Sequence, residues 1–249
     1  ELAIKINQTS RQLAKQEKVL QKRDNARSTW IAGISHDIRT PLSLVMGYAS
    51  QLESNPNIPK AEQEQAGIIR QQSESIKDLI NNLNLASKLE YDMQPLEQKT
   101  FYPSELVREV VTDIINSKIG ECHSIELTVE KDIEKLKLVG DIDLLRRAFS
   151  NVILNSIQHN ADGCDISVEI KKESATCFVI ISDNGVGFSQ EMLETLVSQH
   201  DNISNSQSHG LGLVIVKQII QAHYGTVEFA ANSPRGCTVT LKLPILQIH

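Results

Sequence analysis

A histidine followed directly by an aspartate stands in the segment Ser35-His36-Asp37-Ile38-Arg39-Thr40-Pro41-Leu42. A solvent-facing histidine can attack a phosphoryl group through a ring nitrogen that carries no proton. A carboxylate bonded to the other nitrogen selects that tautomer, and Asp37 is a candidate, although adjacent helix positions do not naturally face each other. Thr40 lies one helical turn after His36, where its hydroxyl could orient a water. By itself, such a pair is more typical of an ordinary helix surface than of a reactive site.

Two asparagines, Asn151 and Asn155, stand four residues apart near the end of a predicted helix. At this spacing both side chains share one helix face. Amide oxygens are hard ligands that suit Mg²⁺, which commonly bridges nucleotide phosphates. The spacing alone is weak evidence, because paired asparagines often only cap or decorate a helix.

An acidic, glycine-containing turn, Asp183-Asn184-Gly185-Val186-Gly187, follows a predicted strand directly. An aspartate held at a strand end can accept a hydrogen bond from the exocyclic amine of adenine. Glycines at alternate positions let the backbone turn tightly and approach a flat base or ribose. Turns with Asp and Gly are common, so the pattern needs support from its neighbours.

A second glycine-containing segment, Gly210-Leu211-Gly212, opens a predicted helix. Backbone amides at a helix N-terminus favour anionic oxygens, and glycine allows phosphate to come close. The segment is not a Walker A motif, because no Gly-Lys-Ser/Thr follows it. Alone, it too is weakly informative.

The first 35 residues contain no proline and one glycine. Their apolar residues fall on a seven-residue register that is interrupted by polar positions; they are Ile6, Leu13, Leu20 and Ile34. This pattern predicts a weakened coiled-coil seam, which usually joins two copies of a chain. The alternative is one long solvated helix that packs on its own domain.

The helical pattern continues through Pro41, where we expect a bend, to about Glu53, and two prolines at 56 and 59 then break it. A second predicted helix runs from about Lys60 to the segment 91–95, with apolar residues that repeat every seven positions. Two such helices form a hairpin that cannot bury both apolar stripes alone. Pairing two hairpins would give a four-helix bundle.

Beyond residue 100 the pattern alternates between helical and strand periods. The predicted helices are 101–118, with Ser104 as its N-cap, 141–160 and 211–223. The predicted strands are 124–130, 135–139, 164–171, 176–182, 226–230 and 237–243. Helices on one face of a mostly antiparallel sheet make an α+β two-layer sandwich. The polar segment 198–209 fits neither period.

Taken together and in this order, these segments resemble the H-box, the N-box and the two glycine-rich boxes of the sensor histidine kinases. The resemblance extends over residues 2–243 and includes the ATPase fold shared with gyrase, Hsp90 and MutL. It implies that His36 is phosphorylated, that Asp37 acts as base, and that Thr40 serves the reverse, phosphatase reaction. It also implies that Asn155 coordinates Mg²⁺ and that Asp183 binds adenine.

The resemblance implies a set of ATP-binding residues with the segment 198–209 as a lid. These residues are Asn151, Asn155, His159, Asp183, Gly185, Gly187, Gly210, Leu211 and Gly212. The chain departs from the family at Gln158 and His159, where a basic residue and an aromatic are frequent. We therefore interpret His159 either as a partial substitute for the phosphate contact or as a structural residue. The family's phenylalanine-containing box is also missing, since the segment 196–198 has no aromatic residue.

The predicted domains are a coiled-coil signalling helix (1–30), a dimerisation and histidine phosphotransfer domain (31–95), and a catalytic ATP-binding domain (96–249). The expected activity is autophosphorylation of a homodimer on His36, then transfer to an aspartate in the receiver domain of a response regulator. Alternatives are a sensor tuned mainly as a phosphatase, an ATP-driven conformational clamp, and a non-catalytic scaffold.

Composition is consistent with a soluble globular piece, with 40% hydrophobic and 22% charged residues. The net charge of −6 and the lack of a basic stripe argue against binding to nucleic acid. Four widely spaced cysteines without a CxxC pair indicate idle or buried thiols rather than metal or disulfide roles. No apolar run is long enough to span a bilayer. We expect a cytoplasmic portion of a bacterial inner-membrane protein, anchored through a region that precedes this chain.

Overall fold

The computed structural model describes residues 2–90, 95–117, 122–197 and 211–245. The chain divides into two compact units, Glu1–Gln94 and Pro95–His249. Each unit is held together mainly by contacts among its own residues. In the described ranges, no helix combines the length and the apolar character that crossing a membrane requires.

The first unit is a helical hairpin of α1 (Leu2–Glu53) and α2 (Lys60–Glu90), as predicted. Helix α1 runs through Pro41 without a break in its assignment. The connection is closed by Gln63, whose Nε2 donates to the carbonyl oxygen of Asn55 at 2.7 Å. Near the connection, Arg70 donates to the carboxylates of Glu53 and Glu74 at 2.6 and 2.9 Å. This guanidinium lowers the pKa of Glu53.

Most of the buried side chains in the described part of the hairpin are small, and many of its large apolar side chains are exposed. Buried small residues include Ser28, Ser35, Ala49, Ala66, Ser73, Ala86 and Ser87. Exposed large apolar residues include Trp30, Ile34, Ile38, Val45, Leu52, Ile69, Ile76 and Leu79. A single hairpin therefore leaves its main apolar stripes in water, as the sequence pattern predicts.

The second unit is a two-layer α/β sandwich, which confirms the predicted fold class. Its sheet has the order β2-β4-β5-β7-β6, in which β2 and β4 are parallel and the other pairs antiparallel. The strands are β2 (Ser124–Val129), β4 (Asp165–Glu173), β5 (Thr176–Asp183), β6 (Thr226–Ala231) and β7 (Cys237–Pro244). Alternate residues of β4, β5 and β7 are buried, so one sheet face lies against the helices.

The helical layer consists of α3 (Pro103–Asn116), α4 (Ile142–Gln158) and α6 (Leu211–Ala222). A short antiparallel pair, β1 (Gln98–Phe101) and β3 (Leu138–Asp141), lies before α4. Helix α5 (Gln190–Val197) follows the turn after β5. Neither β1 nor α5 appears in the sequence-based prediction, because both are short and their apolar residues show little periodicity.

Two local predictions in this unit are wrong. Ser104 is not the N-cap of α3: Tyr102 takes that position without a side-chain hydrogen bond, and Pro103 is the first helical residue. Proline suits this position because it lacks the N–H that would have needed a partner. The strand predicted at 135–139 begins later, at Leu138, because a 3₁₀ turn at Lys131–Ile133 precedes it.

His223 links the end of α6 to the start of α4. Its Nε2 accepts from the backbone N–H of Asp141 at 2.9 Å, and its Nδ1 donates to the carbonyl oxygen of Ile219 at 2.7 Å. Burial lowers the pKa of His223, so the neutral form is the one that fits.

Candidate nucleotide and phospho-acceptor sites

The carboxylate of Asp183 ends β5 and is buried. Its Oδ2 accepts from the hydroxyl of Ser156 at 2.8 Å and from the thiol of Cys237 at 2.9 Å. Its Oδ1 accepts from the backbone N–H of Gly185 at 3.0 Å. Among the described residues, Oδ1 has this one donor, and a carboxylate oxygen carries two lone pairs. One acceptor position therefore remains open on a fixed, buried carboxylate.

A small cavity lies beside this carboxylate, with a volume of about 40 Å³. It is lined by Asn155, Ser156, His159, Asn160, Asp183, Val186, Gly187, Phe188, Met192 and Cys237. The lining joins the end of α4 to the turn after β5.

The turn after β5 is held closely against the start of β7. Gly187 has φ of +76°, and a Cβ there would lie 2.7 Å from the carbonyl oxygen of Gly236. Gly236 has φ of +103°, and a Cβ there would meet the carbonyl oxygen of Asp183 at 1.9 Å. At both positions glycine is required by backbone conformation and by space. Asn232 adds a hydrogen bond from its Nδ2 to the carbonyl oxygen of Asp183 at 3.0 Å.

The structure brings several of the residues identified from the sequence to this cavity. They are Asn155, His159, Asp183 and Gly187. Asn151 lies one turn back along α4 and does not line the cavity, although its Nδ2 is buried and has no hydrogen-bond partner in the described chain. Gly185 lies in the turn itself, against the side chain of Asn160.

The second glycine-containing segment is only partly described. Gly210 and the predicted lid, 198–209, lie outside the described residues. Leu211 is the first residue of α6, and a Cβ built on the following Gly212 would meet no described atom within 4 Å beyond its chain neighbours and its own helix.

Sequence reasoning missed Ser156, Asn160 and Cys237, the polar lining residues beyond those predicted, and the apolar lining residues Val186, Phe188 and Met192. Cys237 was predicted to be an idle or buried thiol; it is buried, and it also lines the cavity and donates to Asp183. Burial and the neighbouring carboxylate raise the pKa of Cys237, so the thiol stays protonated and serves as a donor. All four cysteines fall in described ranges and are free. The sequence did contain an indication that Cys237 belongs to the site, because this residue directly follows Gly236 at the start of the last strand.

His36 lies on α1 with 76% of its side chain exposed. Its Nδ1 is 3.3 Å from Oδ1 of Asp37, so the two neighbours do meet despite their adjacent helix positions. A surface groove beside the imidazole is lined by His36, Arg39, Thr40, Ser43 and Leu44. Arg39 crosses to α2, where its Nη2 donates to Oδ1 of Asn81 at 3.1 Å.

Two protein families match the chain in the order of these sites. The His Kinase A (phospho-acceptor) domain matches residues 26–92, and the family described as histidine kinase-, DNA gyrase B- and HSP90-like ATPase matches residues 140–247. A phospho-acceptor domain joined to an ATPase domain of this fold defines a histidine kinase. The chain belongs to the sensor histidine kinases of two-component systems and comprises their catalytic portion.

Similar proteins include the sensor histidine kinase YvrG of Bacillus subtilis, 29% identical over 242 residues that are 95% of this chain and 41% of YvrG. The phosphate regulon sensor protein PhoR of Pseudomonas aeruginosa is 27% identical over 90% of this chain and 52% of PhoR. The chain thus spans about half the length of these curated relatives. The crystal structure of full-length ShkA in complex with AMPPNP has a TM-score of 0.70 at 19% identity, over 88% of this chain and 46% of ShkA. This likeness shows the fold.

Proposed function

We propose that the chain binds ATP with Mg²⁺, phosphorylates itself on His36, and transfers the phosphoryl group to an aspartate in the receiver domain of a response regulator. The observation that carries the proposal is the carboxylate of Asp183. It is buried and oriented by three donors, and it keeps one acceptor position beside a cavity. An acceptor of this kind suits the exocyclic amine of adenine.

The phosphates of the nucleotide are proposed to lie towards α4 and the start of α6. Asn155 lines the same cavity as Asp183, and its amide oxygen is a ligand of the type that Mg²⁺ prefers. His159, the C-cap of α4, lines the cavity beside Asn155, and Asn151 lies one turn further back on the same helix. When bound, Mg²⁺ supplies charge neutralisation on the transferred phosphoryl group. Gly210, Leu211 and Gly212 would offer backbone amides.

The phospho-acceptor chemistry follows from the contact between His36 and Asp37. In the tautomer with the proton on Nδ1, the ring donates to Asp37 and leaves a lone pair on Nε2. Nε2 then forms a bond to the γ-phosphorus while the bond to the bridging oxygen breaks and ADP leaves. Exposure of the imidazole supports this role, since an acceptor must reach both ATP and a partner protein.

We also propose that the chain acts as a homodimer, with the exposed apolar stripes of the hairpin forming a four-helix bundle. The surface of α1 beyond His36 is the proposed docking face for the response regulator; it includes Ser43, which lines the groove, and further along the helix Gly47 and the 65% exposed Tyr48. The proposed domains are the signalling helix 1–30, the phosphotransfer domain 31–95 and the catalytic domain 96–249. The greater length of the relatives supports a cytoplasmic portion of a larger, membrane-anchored sensor.

The experiment is incorporation of label from γ-labelled ATP and Mg²⁺ into the whole chain, compared with His36→Gln. The expected label survives alkali, is lost in acid, and is absent from the variant, as for phosphohistidine. His249→Gln is the matched control, because it removes another histidine, the last residue of the sequence, and leaves His36 in place. A chain that binds ATP and remains unlabelled would refute the kinase proposal.

A second candidate function is dephosphorylation of the response regulator. Thr40 favours it, since this residue lines the groove beside His36, where its hydroxyl can orient a water. The test is loss of phosphate from a phosphorylated receiver domain in the presence of the chain and of Thr40→Ala. Equal rates with both proteins would refute the role of Thr40.

A further inference from the structure

Resting on the proposed nucleotide site, we propose that Asn160 is a positioning residue for ATP. Its side chain clamps the Asp183 loop, residues 183–188, to the end of α4. Gly185 lacks a side chain in order to admit this amide, and not because the nucleotide needs the space. Asn160 lies outside the motifs identified from the sequence. Gly185 lies inside one of them, and the space that Asn160 occupies explains why it is a glycine.

The amide of Asn160 is buried, with 8% of the residue exposed, and both ends of it are bonded. Oδ1 accepts from the backbone N–H of Val186 at 2.8 Å, and Nδ2 donates to the carbonyl oxygen of Ser156 at 2.7 Å. These partners settle the orientation of the amide, because an N–H needs an acceptor and a carbonyl needs a donor. The side chain therefore bridges the Asp183 loop and the last turn of α4.

Gly185 lies directly against this bridge. A Cβ built on Gly185 would lie 2.0 Å from Oδ1, 2.2 Å from Cγ and 2.3 Å from Nδ2 of Asn160, which are its three nearest atoms. The backbone of Gly185 is not in the positive-φ region, unlike that of Gly187. An alanine is thus acceptable to the backbone of Gly185 and is excluded by the Asn160 side chain.

Asn160 affects the position of Oδ1 of Asp183, the atom proposed to accept a hydrogen bond from the adenine amine. The N–H of Gly185 donates to Oδ1 of Asp183, and the next N–H along the chain, that of Val186, donates to Asn160. Two consecutive amides therefore tie the acceptor oxygen of Asp183 to α4, whose Asn155 lies on the proposed metal side. Releasing Asn160 frees the loop and misdirects Oδ1, so ATP should bind more weakly while the phosphoryl chemistry is retained.

The test uses the whole chain with Asn160→Ala, Gly185→Ala and the double variant. A displaceable fluorescent ATP analogue gives nucleotide affinity, and a thermal melt gives folding. We expect Asn160→Ala to weaken ATP binding about tenfold, because a misdirected Oδ1 of Asp183 loses about one hydrogen bond between a charged acceptor and the adenine amine. Gly185→Ala should weaken ATP at least about tenfold in the native background and less than about twofold in the Asn160→Ala background.

Gly187→Ala is the matched control, because its obstacle is the backbone of Gly236. Gly187→Ala should weaken ATP binding by the same factor in the native chain and in Asn160→Ala. Labelling kinetics separate positioning from mere support of the fold. In Asn160→Ala, the ATP concentration for half-maximal rate should rise about tenfold, with the rate at saturating ATP within about twofold of the native chain.

Two results would overturn the inference. One is an equal cost of Gly185→Ala in both backgrounds, which would mean that another contact requires the glycine. The other is a lower rate at saturating ATP with an unchanged half-maximal concentration, which would make Asn160 a support of the fold alone. If the native chain binds no ATP, the proposed function fails and the positioning role fails with it. The melting temperatures of the four proteins then still decide whether Asn160 occupies the space beside Gly185.

Discussion

Replacing Asp183 by asparagine should reduce the preference of the cleft for the exocyclic amine of adenine. In the native chain, Oδ2 is occupied by the hydroxyl of Ser156 and the thiol of Cys237, and Oδ1 keeps one free acceptor position. The asparagine should turn its NH₂ towards Ser156 and Cys237, whose hydrogens can rotate away. Its carbonyl oxygen then stays at the Oδ1 position, where the N–H of Gly185 is fixed by the backbone. The adenine amine still finds an acceptor, but a neutral one.

The expected magnitude follows from this change in charge. A hydrogen bond to a charged group contributes about 1.5–3 kcal/mol, and a neutral one about 0.5–1.5 kcal/mol. The difference of about 1–1.5 kcal/mol corresponds to roughly tenfold in affinity. The native chain should prefer ATP over a purine nucleotide without the amine by about 10- to 150-fold. In Asp183→Asn this ratio should fall about tenfold.

The assay measures the affinities of ATP and purine riboside triphosphate for both proteins by competition with one fluorescent nucleotide. A ratio is used because it cancels losses from partial unfolding or from a displaced loop. Asp162→Asn is the matched control, since Asp162 is exposed and does not line the cavity. An unchanged ratio in Asp183→Asn, with both ligands bound, would refute the assignment of Asp183 to the adenine amine.

Three further predictions concern the rest of the chain. The pKa of His223 is lowered from 6.5, so the unfolded chain takes up its proton first. Its stabilising contribution is full above that value and is lost as the pH falls from there through the lower folded pKa. Melts against pH should show a flatter slope below 6.5 in His223→Gln, together with a lower stability at neutral pH. Tyr224 is 76% exposed with φ of +59°, so Tyr224→Gly should raise the free energy of unfolding by about 1 kcal/mol or less, measured by denaturant titration. Ile76, 44% exposed on the hairpin, should lie in the proposed dimer interface. Ile76→Asp should cost about 1–3 kcal/mol per dimer in lost apolar burial and shift sedimentation towards a monomer.

Each of these predictions has a control or a contradicting result. An equal pH slope in the native chain and His223→Gln would show that other groups govern acid stability. Tyr224→Ala keeps the strained backbone and should bring no gain, so an equal gain from alanine and glycine would contradict the strain argument. Ser75→Asp, on a neighbouring exposed position of α2, should leave the proposed dimer intact. Dimers that persist in Ile76→Asp would place the interface elsewhere.

Much of the fold could be predicted because its signals are local. Periods of 3.6 and 2 residues distinguish the hairpin from the sandwich, and the break at 55–59 marks the end of α1. The same holds for the phospho-acceptor segment, since His36, Asp37 and Thr40 are fixed relative to each other by one helix. Local signals were ambiguous at the start of α3. Ser104 is a typical N-cap residue and Pro103 a typical first helical residue, and in the structure the helix begins at Pro103.

The nucleotide side of the candidate site depends on contacts between residues that are far apart in the chain. The helical and strand periods of the sequence do not predict such contacts. Ser156 and Cys237 reach Asp183 from 27 and 54 residues away, and Asn160 reaches Val186 from 26 residues away. A period of two tells which side chains of a strand are buried, but it does not tell which strand lies beside it. Cys237 meets Asp183 because β7 pairs with β5 in the register that sets Ser182 opposite Thr238.

The sequence by itself determined the class of the protein and the order of its two units, and it predicts His36 as the acceptor histidine, because each of these is encoded in residues close along the chain. The tertiary structure decided what surrounds Asp183: a hydroxyl, a thiol and a backbone amide that orient it, and an asparagine that holds its loop to α4. The physical reason is that strand order and register are set by packing of the whole sheet against its helices. No short segment carries that information.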